Sequence, residues 1–247
     1  MIDLHTHVLP RLDDGSDGVE TTVRMLKISE ESGVTTIAAT PHFDRSCGYD
    51  NYASEALEES FRLIEREAAA VGVKLVRGME IMAGGDVPEL LKNGRLWTIG
   101  GTGYFLTEFA FEEDPAYCRE YLKSCREAGF KPVIAHPERY KFIQRDPQTA
   151  YEWCRSGYAI QINRGSIMGR FGEQARITAA RLIGHGLAAC VASDAHGAHR
   201  RTPHMADVRR SLMDQIGSEY TELLLERNPA RILADRELLG YEPYPFI

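Results

Sequence analysis

Residues 1–15, MIDLHTHVLPRLDDG, are the stretch from which the fold and the site are best predicted. They begin with a short apolar run, residues 2–4, that is typical of a β-strand, and His5-Thr6-His7 follow directly. Side chains two residues apart lie on the same face of a strand, so the two imidazoles point the same way. Two neutral imidazoles on one face can bind one metal ion. The opening stretch therefore predicts a strand that ends in part of a metal site.

Composition and charge narrow the classes of protein that fit. The chain has 247 residues, of which 43% are hydrophobic and 26% charged, as in ordinary globular proteins. Its formal net charge of −7 argues against nucleic acid as a partner, because few cations are left to replace phosphate counterions. No charged and apolar leader precedes the first strand and no apolar run could span a membrane, so we expect a cytoplasmic protein. The 5 cysteines are scattered without a C-x-x-C pair, which favours buried, reduced thiols.

Short apolar runs alternate with longer amphipathic segments along the chain. The runs predict strands at residues 2–4, 34–40, 73–79, 104–107, 132–135, 158–162 and 187–192. The segments between them predict helices near residues 18–33, 52–70, 87–91, 114–129, 147–156 and 173–184, with a polar loop at 44–51 and further helices over 201–239. Such alternation predicts a parallel sheet covered by helices, in a single domain over 1–247. An open doubly wound sheet is the alternative, but the Gly-rich phosphate turn that it needs after the first strand is absent.

Histidines and carboxylates follow almost every predicted strand. The carboxyl ends of the strands of a parallel barrel meet on one face, so we expect these side chains to converge there. They are His5, His7, His42, Glu80, Glu108, His136, Asp194 and His196. Buried carboxylates and imidazoles packed together need a cation to offset their charge. Because these ligands are too many for one tetrahedral zinc and include no thiolate, they predict two or three divalent ions such as Mn, Fe or Zn.

Seven motifs, in this order along the chain, resemble the polymerase-and-histidinol-phosphatase (PHP) superfamily. They are His5-Thr-His7, Asp13-Asp14-Gly15, Thr40-Pro-His42, Gly78-Met-Glu80, Glu108, His136-Pro-Glu-Arg139 and Ser193-Asp-Ala-His196. The opening and the His136–Arg139 motif are most similar to one branch, the metal-dependent bacterial protein-tyrosine phosphatases of capsule and exopolysaccharide operons. The resemblance covers essentially the whole chain. It implies a distorted TIM-like (β/α)7 barrel with a trinuclear metal site, for which manganese is our first expectation and iron, cobalt or zinc the alternatives.

The resemblance also implies how the ligands are divided among three ions. The implied ligands are, for the first ion, His5, His7, Glu80 and Asp194; for the second, Glu80, Glu108 and His136; and for the third, His42, His196 and a carboxylate of the Asp13-Asp14 turn. We favour Asp14 at that turn, although the sequence does not separate it from Asp13.

Two arginines are candidates to bind a phosphoryl group. Arg139 lies three residues after His136, and Arg201 lies five residues after His196. Guanidinium groups match the equatorial oxygens of a phosphoryl group in transfer. We therefore expect catalytic roles for Arg139 and Arg201, with Arg200 as the alternative to Arg201.

The resemblance implies a protein-tyrosine phosphatase in which a metal-activated hydroxide attacks phosphorus. Its partner would be a bacterial tyrosine kinase whose tyrosine-rich tail regulates polysaccharide export. A small-molecule phosphatase such as histidinol phosphatase, a metal-dependent nuclease and an amidohydrolase are the alternatives. The net charge disfavours the nuclease, and Glu108 stands where amidohydrolases usually carry a modified lysine. A cysteine-nucleophile phosphatase is excluded, because no cysteine begins a C-x5-R loop.

The sequence leaves the oligomeric state open. For the aromatic tail, which contains Tyr241 and Tyr244, packing on the base of the barrel is favoured over modification of the tyrosines, although the sequence does not decide between them.

Overall fold

Strands and helices alternate along the chain, in a computed structural model that describes residues 1–240 and 242–246. The strands are β1 (Ile2–Thr6), β2 (Thr36–Ala39), β3 (His42–Asp44), β4 (Tyr49–Asp50), β5 (Lys74–Arg77), β6 (Glu80–Met82), β7 (Tyr104–Glu108), β8 (Lys131–Ala135), β9 (Ala159–Asn163) and β10 (Cys190–Ala192). The helices are α1 (Val19–Glu31), α2 (Glu55–Ala70), α3 (Val87–Lys92), α4 (Pro115–Glu127), α5 (Lys141–Arg145), α6 (Gln148–Arg155), α7 (Arg164–Ile167), α8 (Glu173–Gly184), α9 (Ala206–Glu222) and α10 (Asn228–Leu233).

The strands form two sheets that are parallel except at one edge. The smaller sheet has the order β1-β2-β5, and the larger has the order β10-β9-β8-β7-β6-β3-β4. Within the described residues, β4 alone runs antiparallel to its neighbour, and it pairs with β3 across what the sequence predicts as a loop. Every residue of β7 and β9 is buried, as expected for parallel strands covered on both faces.

Two of the predicted strands, residues 34–40 and 73–79, are each followed after a short break by a second, short strand. β2 is followed by β3 and β5 by β6, so both paths pass from the smaller sheet to the larger. Pro41 lies in the first break and has no N–H to donate to a neighbouring strand. Gly78 lies in the second break, where a Cβ would be 2.9 Å from Cγ2 of Thr40. His42 and Glu80 thus follow the ends of β2 and β5 as predicted, and they also begin new strands as partners in register.

The first strand lies beside the segment after β10. The N–H of His7 donates to the carbonyl of Ala195 at 2.8 Å, and the N–H of Asp194 donates to the carbonyl of His5 at 2.9 Å. These bonds align two of the motifs that carry candidate ligands. The architecture is thus an α/β fold with parallel sheets, in which a parallel bridge between Thr6 and Ala195 links the smaller sheet to the end of the larger one.

Helices α2 and α4 begin close to their predicted starts and their caps explain why, whereas the sequence predicts no helix at α5 or α7. The side chain of Ser54 accepts a hydrogen bond from Leu57 N at the start of α2. At α4, Asp114 caps the helix by accepting from Ala116 N, and Pro115 occupies its first turn. Each cap satisfies an N–H that the first turn of a helix would leave unpaired.

The cysteines and the tail depart in part from expectation. Cys118, Cys125 and Cys190 are buried as predicted, but Cys47 is exposed because it lies in the turn between β3 and β4. Tyr244 contacts the end of α8, where its carbonyl lies 3.0 Å from Nδ1 of His185. The prediction for Tyr241 lies outside the described residues.

Helices long and apolar enough to cross a membrane are absent from the described part of the chain.

Candidate metal centre

The eight histidines and carboxylates at the predicted strand ends lie together with Asp14 in one cluster. Their ligand atoms form three overlapping groups, and within each group every atom lies within 4.8 Å of the others. The groups are His5, His7, Glu80 and Asp194; His42, Glu80 and Glu108; and His7, Asp14, His42 and His196. His136 joins them through Nε2, which lies 2.9 Å from Oε1 of Glu80.

The first group is fully buried and contains the four residues implied for the first ion. Nε2 of His5 lies 3.2 Å from Nε2 of His7 and 3.0 Å from Oε2 of Glu80. Oδ1 of Asp194 lies 3.5 Å from the His5 nitrogen and 3.6 Å from the His7 nitrogen. Two imidazole nitrogens and two carboxylate oxygens therefore face one point, which is a donor set suited to a divalent cation.

The second group shares Glu80 with the first. Oε2 of Glu80 lies 3.2 Å from Nδ1 of His42, and that nitrogen lies 3.1 Å from Oε1 of Glu108. Nε2 of His136 lies 2.9 Å from the other oxygen of Glu80 and 3.7 Å from Oε2 of Glu108. The resemblance did not imply His42 at this position, so the structure adds it to the surroundings of Glu108.

The third group shows which carboxylate of the Asp13-Asp14 turn faces the cluster, a choice that the sequence left open. Oδ1 of Asp14 lies 3.3 Å from Nε2 of His196 and 3.6 Å from Nε2 of His42. Asp13 instead accepts at Oδ2 from the backbone N–H of His42 at 2.9 Å and lies 2.7 Å from Nδ1 of His7. Asp14 thus faces the cluster, whereas Asp13 orients one of its histidines from outside.

Gln161, Asn163 and Asp13 form hydrogen bonds with candidate ligands. The sequence did not assign Gln161 or Asn163 to the site. Oε1 of Gln161 lies 2.9 Å from Nδ1 of His5, and Nδ2 of Asn163 donates to Oδ2 of Asp194 at 2.5 Å. Gln161 and Asp13 contact the Nδ1 atoms of His5 and His7, so the Nε2 atom of each of these histidines faces the cluster. The signal that could have found Gln161 is its place in the apolar run 158–162, where a polar side chain is expected to have a specific partner.

The electrostatics of the cluster show that it needs positive charge. Burial favours the neutral form of His5, but the carboxylates of Glu80 and Asp194 outweigh burial and raise the pKa of His5 to about 9. Burial likewise opposes protonation of His42, yet Glu80 and Glu108 raise its pKa to about 10. Protons are therefore drawn onto the imidazoles to balance the buried carboxylates, and divalent cations would replace those protons.

Unpartnered nitrogen atoms also fit a cation. Among the described residues, Nδ1 of His42 and Nε2 of His196 are buried and make no hydrogen bond of good geometry, although carboxylate oxygens lie 3.1 Å and 3.3 Å from them. Burial and the neighbouring imidazole of His7 lower the pKa of His196 to about 4, so this ring keeps a free lone pair at neutral pH. A buried polar atom without a partner is costly, and coordination to a metal would remove that cost.

Both predicted arginines lie against the candidate ligand Asp194. Nη2 of Arg201 donates to Oδ1 at 2.6 Å, and Nη1 of Arg139 lies 3.5 Å from Oδ2. Nε of Arg201 is buried and has no hydrogen-bond partner among the described residues. The sequence alternative, Arg200, is exposed. The structure therefore brings Arg201, and not Arg200, to the cluster.

Replacing Asp13 by asparagine is expected to weaken Mn²⁺ binding by about 10- to 100-fold, because the carboxylate that orients His7 is lost. Calorimetric titration of the metal-stripped protein with Mn²⁺ would measure the change. Asp17→Asn is the matched control, since Asp17 is exposed and belongs to none of the three groups. Equal Mn²⁺ affinity of Asp13→Asn and Asp17→Asn would contradict the orienting role of Asp13.

Fold and site together define a class of protein, a parallel α/β protein with a candidate multi-metal centre. The chain belongs to the family described as capsular polysaccharide synthesis, CpsB/CapC, whose model matches residues 1–234. It is 33% identical over 246 residues to the tyrosine-protein phosphatase YwqE of Bacillus subtilis, covering 99% of this chain and 96% of that protein. It is 29% identical over 243 residues to the tyrosine-protein phosphatase CpsB of Streptococcus pneumoniae, covering 96% of this chain and 99% of that protein.

A solved structure gives the same result at the level of the fold. The structure is one of the crystal structures of YwqE from Bacillus subtilis and CpsB from Streptococcus pneumoniae. These two proteins are described as unique metal-dependent tyrosine phosphatases. It superposes with a TM-score of 0.92 at 32% identity and covers 100% of both chains. The resemblance seen in the sequence motifs is therefore confirmed at the level of the family.

Proposed function

We propose that this protein is a metal-dependent protein-tyrosine phosphatase. The observation that carries the proposal is one largely buried cluster in which three candidate metal groups are linked pairwise by Glu80, His7 and His42, with two arginines against Asp194. Family membership supports it, because the relatives above are named tyrosine-protein phosphatases.

We infer that the ligands are divided among the cations as the resemblance implies. The first cation would take His5, His7, Glu80 and Asp194; the second, Glu80, Glu108 and His136; and the third, Asp14, His42 and His196. The contacts of Glu80 support its bridging role, since one oxygen lies near His5 and the other near His136. Nitrogen and oxygen donors without thiolates suit manganese, which we propose as the working metal.

The residues of the chain would divide the work of phosphate-ester hydrolysis among them. When bound, the cations would supply Lewis-acid activation of water and neutralise charge on the phosphoryl group. Arg139 and Arg201 would bind its equatorial oxygens and orient the ester. Asn163 would keep Asp194 in place while both arginines contact it. Phenol has a pKa of about 10, so tyrosine is a fair leaving group.

We also propose that the substrate is the phosphorylated tail of a bacterial tyrosine kinase, in the cytoplasm. A cavity of about 490 Å³ beside the cluster, whose lining includes Asp14, His196, Arg200 and Arg201, offers space for a substrate group. We infer further that the seven strand paths form a distorted barrel, on the strength of the parallel bridge between Thr6 and Ala195.

The function is tested with three substrates and Mn²⁺: a phosphotyrosine peptide, histidinol phosphate and a single-stranded oligonucleotide. We expect the peptide to be hydrolysed fastest, and we expect exhaustive chelation to remove activity that added Mn²⁺ then restores. Preference for histidinol phosphate by orders of magnitude would contradict the tyrosine phosphatase. Full activity after chelation would contradict metal dependence.

A further inference from the structure

Two aromatic rings enclose the guanidinium group of Arg139. Its Cζ atom lies 4.5 Å from the centre of the Phe111 ring and 4.4 Å from the centre of the Phe171 ring. Cζ of Arg201 lies 5.8 Å from the centre of the same Phe171 ring. These distances are within the range of about 6 Å over which an arginine is attracted to an aromatic face. Phe171 is therefore shared by the two arginines that contact Asp194.

The place of Phe171 depends on a glycine in α7, the short helix directly after β9. A Cβ on Gly165 would lie 2.3 Å from Cε2 of Phe171 and 2.9 Å from its Cζ. The N–H of Gly165 donates to Oδ1 of Asn163 at 2.9 Å, and Asn163 in turn donates to Asp194. The Phe171 ring thus rests against the same turn that holds the candidate ligand Asp194.

Hydrogen bonds alone do not fix the two guanidinium groups. Arg139 has one contact with a carboxylate oxygen, at 3.5 Å, which is the limit for a hydrogen bond. Arg201 has a good bond to Asp194 through Nη2 but an unpartnered Nε. An aromatic face restrains the plane of a guanidinium group without using any of its five N–H donors. Such a restraint leaves donors free for an anion.

We propose that Phe171 is a positioning residue that holds Arg139 and Arg201 in the orientation that binds phosphoryl oxygens, with Gly165 as the residue that makes room for its ring. The proposal rests on the proposed function, in which these two arginines bind the phosphoryl group. In this proposal Phe171 acts through the arginines, and not as a ligand of the metal centre.

The test compares Phe171→Leu, Phe171→Tyr and Gly165→Ala with the wild-type protein. We expect Phe171→Leu and Gly165→Ala to lower kcat/KM for a phosphotyrosine peptide by about tenfold and to weaken binding of inorganic phosphate similarly. Phe171→Tyr keeps the aromatic face, so both quantities should stay close to wild type. The number of Mn²⁺ ions bound per chain should be unchanged in all three variants.

Phe246→Leu is the matched control. Phe246 also lies beside an arginine, with Cζ of Arg181 5.0 Å from its ring centre, but it packs on His185 after α8. We expect wild-type activity and phosphate binding from it. Calorimetry with inorganic phosphate detects the positioning effect without turnover, so this inference and the proposed function can fail separately.

Three outcomes would overturn the proposal. The first is unchanged phosphate binding in Phe171→Leu. The second is an equal loss of phosphate binding in Phe171→Tyr, which would show that the aromatic face is not the cause. The third is loss of Mn²⁺ from Phe171→Leu, which would show that Phe171 acts on the metal centre instead.

Discussion

Glu80→Gln is expected to lower kcat/KM for a phosphotyrosine peptide by more than about 10³-fold and to remove at least one Mn²⁺ ion per chain. Oε2 of Glu80 lies 3.0 Å from Nε2 of His5 and 3.2 Å from Nδ1 of His42, whereas Oε1 lies 2.9 Å from Nε2 of His136. A glutamine would present one neutral oxygen in place of two that share a negative charge, so it could not bridge two cations.

Glu59→Gln is the control for this experiment, because Glu59 is an exposed glutamate on α2 and belongs to none of the metal-binding groups. Metal content would be measured by elemental analysis after gel filtration, and folding by circular dichroism. Full metal content and activity within tenfold of wild type in a folded Glu80→Gln protein would show that Glu80 does not bridge.

The residues of the cluster could be predicted because their signals are local. His5 and His7 share a face through the period of a strand, and the other candidates stand next to apolar runs. The rule that strand ends of a parallel sheet meet on one side then brings them together without knowledge of the helices. For the same reason the interruption of two strands at Pro41 and Gly78 does not scatter the site, since His42 and Glu80 pair in register after the breaks.

Features that depend on partners far apart in the sequence could not be predicted. Gln161 meets His5 across 156 positions, and no local pattern encodes that pairing. The contact of the Phe171 ring with Gly165, which leaves no space for a Cβ on the glycine, likewise depends on tertiary packing. Cys47 is exposed because it lies in the turn between the antiparallel strands β3 and β4. The polar residues of this segment give no reason to expect that strand pair.

The sequence also could not decide between adjacent residues of the same type. Asp13 and Asp14 have the same chemistry, and only the course of the turn decides which carboxylate faces His196. Arg201 differs from Arg200 in the same way. Its φ of 48° lies in the left-handed region, and its carbonyl accepts from the N–H of His196 at 2.9 Å, so the turn carries its side chain toward Asp194.

Arg201→Ala is expected to lower kcat/KM for a phosphotyrosine peptide by about 10³-fold, because the positive charge and the guanidinium donors would be lost from the phosphoryl group. Binding of inorganic phosphate should weaken as well. Arg200→Ala is a matched control, since it removes the same charge from the neighbouring, exposed position and should leave kcat/KM within about threefold of wild type.

The conservative variant separates charge from geometry at this position. Arg201→Lys keeps the charge but replaces the planar fork by a single ammonium group, so it should recover only part of the activity lost in Arg201→Ala. Steady-state kinetics on the three variants, with Mn²⁺ content measured in parallel, would decide the matter. A larger loss in Arg200→Ala than in Arg201→Ala would assign the phosphoryl contact to Arg200, and full activity in Arg201→Ala would remove Arg201 from the mechanism.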